Sequence, residues 1–100
     1  MRLTPTEIEE IRACAKRHFG ERAIVRLFGS RTDDGRSGGD IDLHIEAESA
    51  EHASLANELE FSKDLKDRIG EQRVDVIVRA PHYTPRAIDE IAVRTGMMLS

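Results

Sequence analysis

Cysteine is almost absent: Cys14 stands alone among 100 residues, so the chain can form no internal disulfide and suits a reducing compartment. Cys14 is expected to be a small buried residue. No apolar run approaches the roughly 20 residues that a bilayer-spanning helix needs. Nor does a basic segment followed by a hydrophobic stretch open the chain, so secretion is not expected either. The expectation is a cytoplasmic protein with no membrane role. Positive charge is not in excess: 15 Lys and Arg against 19 Asp and Glu give a formal net charge of −4. Nonspecific affinity for a phosphate backbone comes from clustered Lys and Arg, so long DNA or RNA is not an expected substrate. Internal repeats, linkers and low-complexity segments are missing as well. With 39% hydrophobic content, 100 residues suit one small globular domain over residues 1–100.

What is present is a glycine-serine corner followed by spaced carboxylates. Ile24 to Phe28 reads as a strand of largely apolar residues, and Gly29-Ser30 interrupts it where a short helix can begin. Free backbone N–H groups and a hydroxyl then face outward together, which suits a polyphosphate. Nine residues separate Ser30 from Asp40, and their Gly, Asp and Ser content predicts a polar loop in which Arg31 or Arg36 can neutralise phosphate. Asp40 and Asp42 stand two apart in a second strand-like run. Their side chains therefore leave one face, while Ile41, Leu43 and Ile45 leave the other toward a core. Carboxylate pairs of this kind bind Mg²⁺ together with substrate phosphates. A third carboxylate, Asp75, interrupts Val74-Asp75-Val76-Ile77-Val78, otherwise a buried strand of β-branched residues. An ionised group there needs compensation. If that strand lies beside the one carrying Asp40 and Asp42, the three carboxylates converge on two metal ions that serve the triphosphate and the attacking hydroxyl. Plainer explanations exist: Asp40 and Asp42 as the wet face of an edge strand, and Asp75 as the partner of Arg73 or Arg26. Three aspartates in this order after a Gly-Ser corner favour the metal site.

Leu27-Phe28-Gly29-Ser30-Arg31, with Gly38-Gly39-Asp40-Ile41-Asp42-Leu43 and the later strand aspartate Asp75, resembles the DNA polymerase β-like nucleotidyltransferase superfamily. Within it the closest resemblance is to the minimal, MNT-type enzymes that act as antitoxin-like partners of HEPN-domain proteins. It spans most of the chain. The resemblance implies a Mg²⁺-dependent nucleotidyltransferase, with two ions, moving a nucleoside monophosphate to an acceptor hydroxyl with release of pyrophosphate. It implies ATP as the donor substrate and AMP as the transferred group. The implied acceptor is a tyrosine on a HEPN-type toxin partner, which would make the chain a protein adenylyltransferase and an antitoxin. Asp40, Asp42 and Asp75 are the implied catalytic residues and metal ligands, with Asp75 also helping to accept the hydroxyl proton. Gly29, Ser30 and Arg31 are the implied nucleotide-binding residues. Two other classes stand beside this one: a noncatalytic antitoxin that neutralises its partner by binding, and a small-molecule nucleotidyltransferase completed by a partner subunit. A homo-oligomer is left open.

The element pattern predicts an α/β domain, with a mixed sheet of three to four strands flanked by about four helices and the catalytic face at one sheet edge. Thr4 and Glu7 form a capping box around Pro5, and Leu3 is placed to staple onto Ile8. The helix they open buries Ile8, Ile11, Ala15 and Phe19 and ends near Gly20. A second long helix is expected from about Glu51 to Ile69, covering the sheet with Leu55, Leu59, Ser62, Leu65 and Ile69, and ended by Gly70. Thr84-Pro85 predicts another helix start, with Ile88, Ile91 and Ala92 as its apolar face before Gly96. Met97-Met98-Leu99 is expected as a short closing strand, the alternative being a tail that docks on a partner. His44 shares the Asp40 and Asp42 face and is expected at the surface, outside the catalytic set. His18, His52 and His82 carry no visible constellation.

Overall fold

Thr4 opens the first helix as its neighbours require. In the computed structural model, which describes residues 3–29, 41–70 and 72–99, the Thr4 hydroxyl accepts from the Glu7 N–H at 3.1 Å. The Glu7 carboxylate in turn accepts from the Thr4 N–H at 2.9 Å. This closed box, worth about 1 kcal/mol, starts α1 (Pro5–Phe19), which Gly20 ends. Then follow β1 (Ile24–Phe28), β2 (Ile41–Glu46), α2 (Leu55–Ile69), β3 (Val74–Arg79), α3 (Ala87–Thr95) and β4 (Met97–Met98). The four strands form one sheet in the order β3-β2-β1-β4. β1 runs antiparallel to β2 and β4, whereas β2 and β3 are parallel. A parallel pair needs a crossover, and α2 supplies it. The sheet is mixed, as expected, and the described residues hold three helices.

One sheet face is the core. Val25, Leu27, Ile41, Leu43 and Ile45 bury against Ile11, Cys14, Ala15 and Phe19 of α1 and against Phe61 and Leu65 of α2. The Phe19 and Phe61 rings meet with centroids 5.1 Å apart. Leu3 and Ile8 join the same cluster. Across the two helices Asp64 binds Arg17, His18 and Arg68, so His18 does belong to a constellation, one that clamps α1 to α2. Asn57 adds to this clamp by donating to the His18 carbonyl at 2.8 Å.

Several expectations are corrected. α2 begins at Leu55 rather than Glu51, because the Ser54 hydroxyl accepts from the Asn57 N–H at 3.1 Å and caps the helix there. Leu55 and Leu59 are 68% and 61% exposed, and Phe61 takes the inward place that the leucine spacing assigns to Leu59. α3 begins at Ala87, not at Thr84-Pro85, since Asp89 caps it by accepting from the Arg86 N–H at 2.8 Å. Its inward residues are Asp89 and Ala92, while Ile88 and Ile91 face outward. β3 is an edge strand and only half-buried, not the buried strand its β-branched run suggests. β4 is the expected closing strand, its Met97 and Met98 paired with Leu27 and Arg26.

Candidate active site

Alternation along β2 sends Asp42, His44 and Glu46 to the sheet face opposite α1 and α2. In register, Asp42 lies opposite Phe28 of β1 on one side and Asp75 of β3 on the other. Directly paired residues of neighbouring strands share a face, about 4.8 Å apart. Asp42 and Asp75 thus stand side by side at one level of the sheet, toward its β3 edge. Gly29 bounds the pair from the end of β1. Its φ is +78°, in the left-handed region, and a Cβ added there would overlap the Asp42 Oδ2 atom. The backbone at the glycine corner therefore lies directly against the first carboxylate.

Asp75 is 54% exposed, and the Arg73 Nε lies 3.9 Å from its Oδ1. The compensation that a buried charge would demand is not needed at such a position, and an exposed pair of this length holds neither partner strongly. Of the six expected site residues the structure places Gly29, Asp42 and Asp75 together; Ser30, Arg31 and Asp40 lie outside the described residues. Among the described residues no group of three or more His, Cys, Asp or Glu side chains is arranged to hold a metal ion. What is placed is a pair of hard oxygen donors on neighbouring strands, the donor type that Mg²⁺ takes.

His44 is fully buried, which corrects its expected surface position. Its Nε2 lies 2.8 Å from Asp89 Oδ1, a contact across 45 residues between β2 and α3. Asp89 also accepts from Arg79 Nε at 2.9 Å and from the Arg86 N–H. Burial pushes the Asp89 pKa up, but the Arg86 N–H, the Arg79 guanidinium and His44 together outweigh it and bring it to about 2. An ionised carboxylate only accepts, so the proton in the dyad sits on His44 Nε2. The Nδ1 atom is buried and without a hydrogen-bond partner among the described residues. Nothing in the spacing of His44 announces this contact; an aspartate three residues before the inward Ala92 was the available signal.

Beside the dyad, on the same sheet face, α3 and the residues before it overhang a cleft of about 520 Å³. Arg26 and Glu46 form an ion pair in its wall, and Tyr83, Pro85 and Val93 give it apolar surface. Burial and the nearby Glu46 and Asp89 carboxylates raise the Tyr83 pKa, so its hydroxyl stays protonated. Cys14 lies on the opposite side of the sheet. Burial, reinforced by Asp64, raises its thiol to about 11, which removes it as a nucleophile.

A family model for a nucleotidyltransferase domain matches residues 8–95, from α1 through the end of α3 and including Gly29, Asp42 and Asp75. The chain belongs to that family, and its chemistry is nucleotidyl transfer. No curated protein matches it. No helix among the described residues is long and apolar enough to cross a membrane.

Proposed function

We propose that the chain is a minimal, MNT-type nucleotidyltransferase that transfers AMP from ATP to a hydroxyl on a partner protein. The observation that carries this reading is the in-register pair Asp42 and Asp75 with Gly29 against it, inside a chain matched as a nucleotidyltransferase domain. Asp42 and Asp75, with Asp40 two residues before Asp42, are the residues to hold divalent metal. Bound there, Mg²⁺ would offset charge on the triphosphate and on the attacking oxygen. Gly29 gives the phosphates access to backbone N–H groups, since a side chain at that corner would meet the Asp42 carboxylate first. Ser30 donates to a phosphate oxygen, and Arg31 adds positive charge. The acceptor hydroxyl attacks the α-phosphorus, pyrophosphate leaves, and the proton passes toward Asp75, whose exposure on an edge strand leaves it open to an incoming partner.

The leading partner is a HEPN-type toxin with a tyrosine as the modified group, which makes the chain an antitoxin. The net charge of −4 suits a basic partner surface better than a polyanion. A binding-only antitoxin is the second reading, favoured by the exposed Ile88, Ile91, Met97 and Met98 on α3 and β4, an apolar surface of the kind that partners cover. One experiment separates the two. The chain is incubated with the product of its neighbouring gene, Mg²⁺ and each nucleoside triphosphate, and the partner's intact mass is measured. Added AMP that disappears with Asp42→Asn supports transfer; a tight complex with no mass change supports binding alone.

A further inference from the structure

We propose that Asp89 is a positioning residue for the metal site: by bridging His44 on β2 and Arg79 on β3 it fixes the register that sets Asp42 beside Asp75, an inference that rests on the metal-holding role given to that pair above. The core face of the sheet cannot fix this register alone. β3 turns Val74, Val76 and Val78 toward the core, three copies of one side chain at consecutive inward places, in one cluster with Ile41, Leu43 and Ile45 of β2. A slip of one residue would turn Asp75 inward and the valines outward, which the core forbids. A slip of two residues is different. It replaces valine by valine, and because the parallel ladder repeats every two residues it restores equivalent backbone hydrogen bonds over most of the strand.

The opposite face does discriminate. Asp75, Ile77 and Arg79 leave β3 on that side, level with Asp42, His44 and Glu46 of β2. After a two-residue slip Asp42 would meet Arg73 or Ile77, and the paired carboxylates would be gone. In the observed register a single oxygen, Asp89 Oδ1, accepts from His44 Nε2 at 2.8 Å and from Arg79 Nε at 2.9 Å. Either slip would move Arg79 against His44 by about 7 Å, so the shared oxygen belongs to one register. Asp89 is itself held in place. α3 carries it fully buried against the sheet, and its Oδ2 accepts from the Arg86 N–H at 2.8 Å. A buried carboxylate is costly without its donors, so a register that takes Arg79 away from Asp89 is disfavoured. Arg79 stands four residues along β3 from Asp75, about 13 Å. The bridge therefore acts on the metal site through strand alignment and not by touching it.

The test combines two measurements: interstrand nuclear Overhauser effects between β2 and β3, which report the register directly, and the affinity for Mn²⁺ alone, which reports the carboxylate pair. Arg79→Met cuts the β3 end of the bridge and leaves Asp89 bonded to His44 and to the Arg86 N–H. It also removes a positive charge, so electrostatics by itself would tighten Mn²⁺ binding. Loss of register predicts the opposite sign. In Arg79→Met the pairing of Asp42 with Asp75 should fall to a minor share and Mn²⁺ should bind at least about tenfold more weakly, the loss expected when the competent register drops to about a tenth. Arg79→Lys returns a cation to Asp89 and should restore both. Phe61→Leu loosens the core on the other face of the sheet and should change neither. Should Arg79→Met fail to fold, His44→Leu cuts the β2 end of the bridge and is expected to give the same two losses. Unaltered register or unaltered Mn²⁺ affinity in the folded bridge variants overturns the positioning role alone, as does an equal loss in Phe61→Leu. A wild type that binds no Mn²⁺ overturns the metal-holding reading and this inference with it.

Discussion

Gly29→Ala tests the placement of the glycine corner against the carboxylate, because the structure separates two costs that the substitution combines. The first is conformational: an L-residue in the left-handed region costs about 1–2 kcal/mol, and Gly29 sits at φ +78°. The second is steric: the new Cβ would overlap Asp42 Oδ2 and lie 3.1 Å from Asp42 Cγ, so the carboxylate must move. Overpacking of this kind typically costs a further 1–3 kcal/mol or so. Gly70 provides the control, since its φ is +91° and nothing lies within 4 Å of a Cβ added there. Urea unfolding should therefore give a loss of about 1–2 kcal/mol for Gly70→Ala and about 2–5 kcal/mol for Gly29→Ala. Asp42→Ala removes both clashing atoms and leaves only the Cβ, at an ordinary 3.4 Å. The double variant Gly29→Ala with Asp42→Ala should then recover the excess, a coupling of about 1 kcal/mol or more. Equal losses for the two glycine variants, or strict additivity in the double variant, would refute the close approach of Gly29 to Asp42.

Three further outcomes follow from other parts of the fold. Asp89 is ionised and buried with a pKa near 2, below its ordinary 3.8, so it contributes stability above the unfolded value that is lost as pH falls toward 2. The stability difference between wild type and Asp89→Asn should shrink by about 2 kcal/mol between pH 5 and pH 2; a difference independent of pH would sink this account of the dyad. Phe61→Ala should cost about 3–5 kcal/mol while Leu59→Ala stays within about 0.5 kcal/mol, and comparable losses by thermal melting would contradict the orientation of α2. Asp42→Asn should abolish nucleotidyl transfer while leaving the metal-free melting temperature unchanged or higher, because it relieves repulsion with Asp75; a clear drop in melting temperature would count against that pairing.

The fold was legible where local chemistry decides structure. Thr4, Pro5 and Glu7 mark the start of α1 unambiguously, and the alternation of Asp42 with Ile41 and Leu43 assigns β2 its two faces. Pattern reading failed where tertiary contact decides. The leucines at 55 and 59 keep helical rhythm yet face solvent, because the core accepts Phe61 against Phe19 and leaves no place for them. Asp89 replaced the Thr84-Pro85 signal because its carboxylate caps α3 and holds His44 and Arg79 at once, a contact no local window contains. Of the candidate site, the register sets Asp42 beside Asp75 and the glycine corner sets Gly29 against Asp42, a neighbourhood made by strand pairing rather than by any local window. The burial of Asp75 was misjudged, since a β-branched run cannot tell an edge strand from a central one.

The central claim is that Asp42 and Asp75 jointly hold the divalent metal used in nucleotidyl transfer. Its most direct test is Mn²⁺ binding, followed by electron paramagnetic resonance with α,β-methylene-ATP present, in the wild type and in Asp75→Asn. Asp75 is half-exposed on the edge strand, so the substitution removes a ligand charge without disturbing the core. Bound Mn²⁺ in the wild type and at least tenfold weaker binding in the variant, about 1.4 kcal/mol or more, is the predicted result. Mn²⁺ affinity unchanged by Asp75→Asn would contradict the shared carboxylate site.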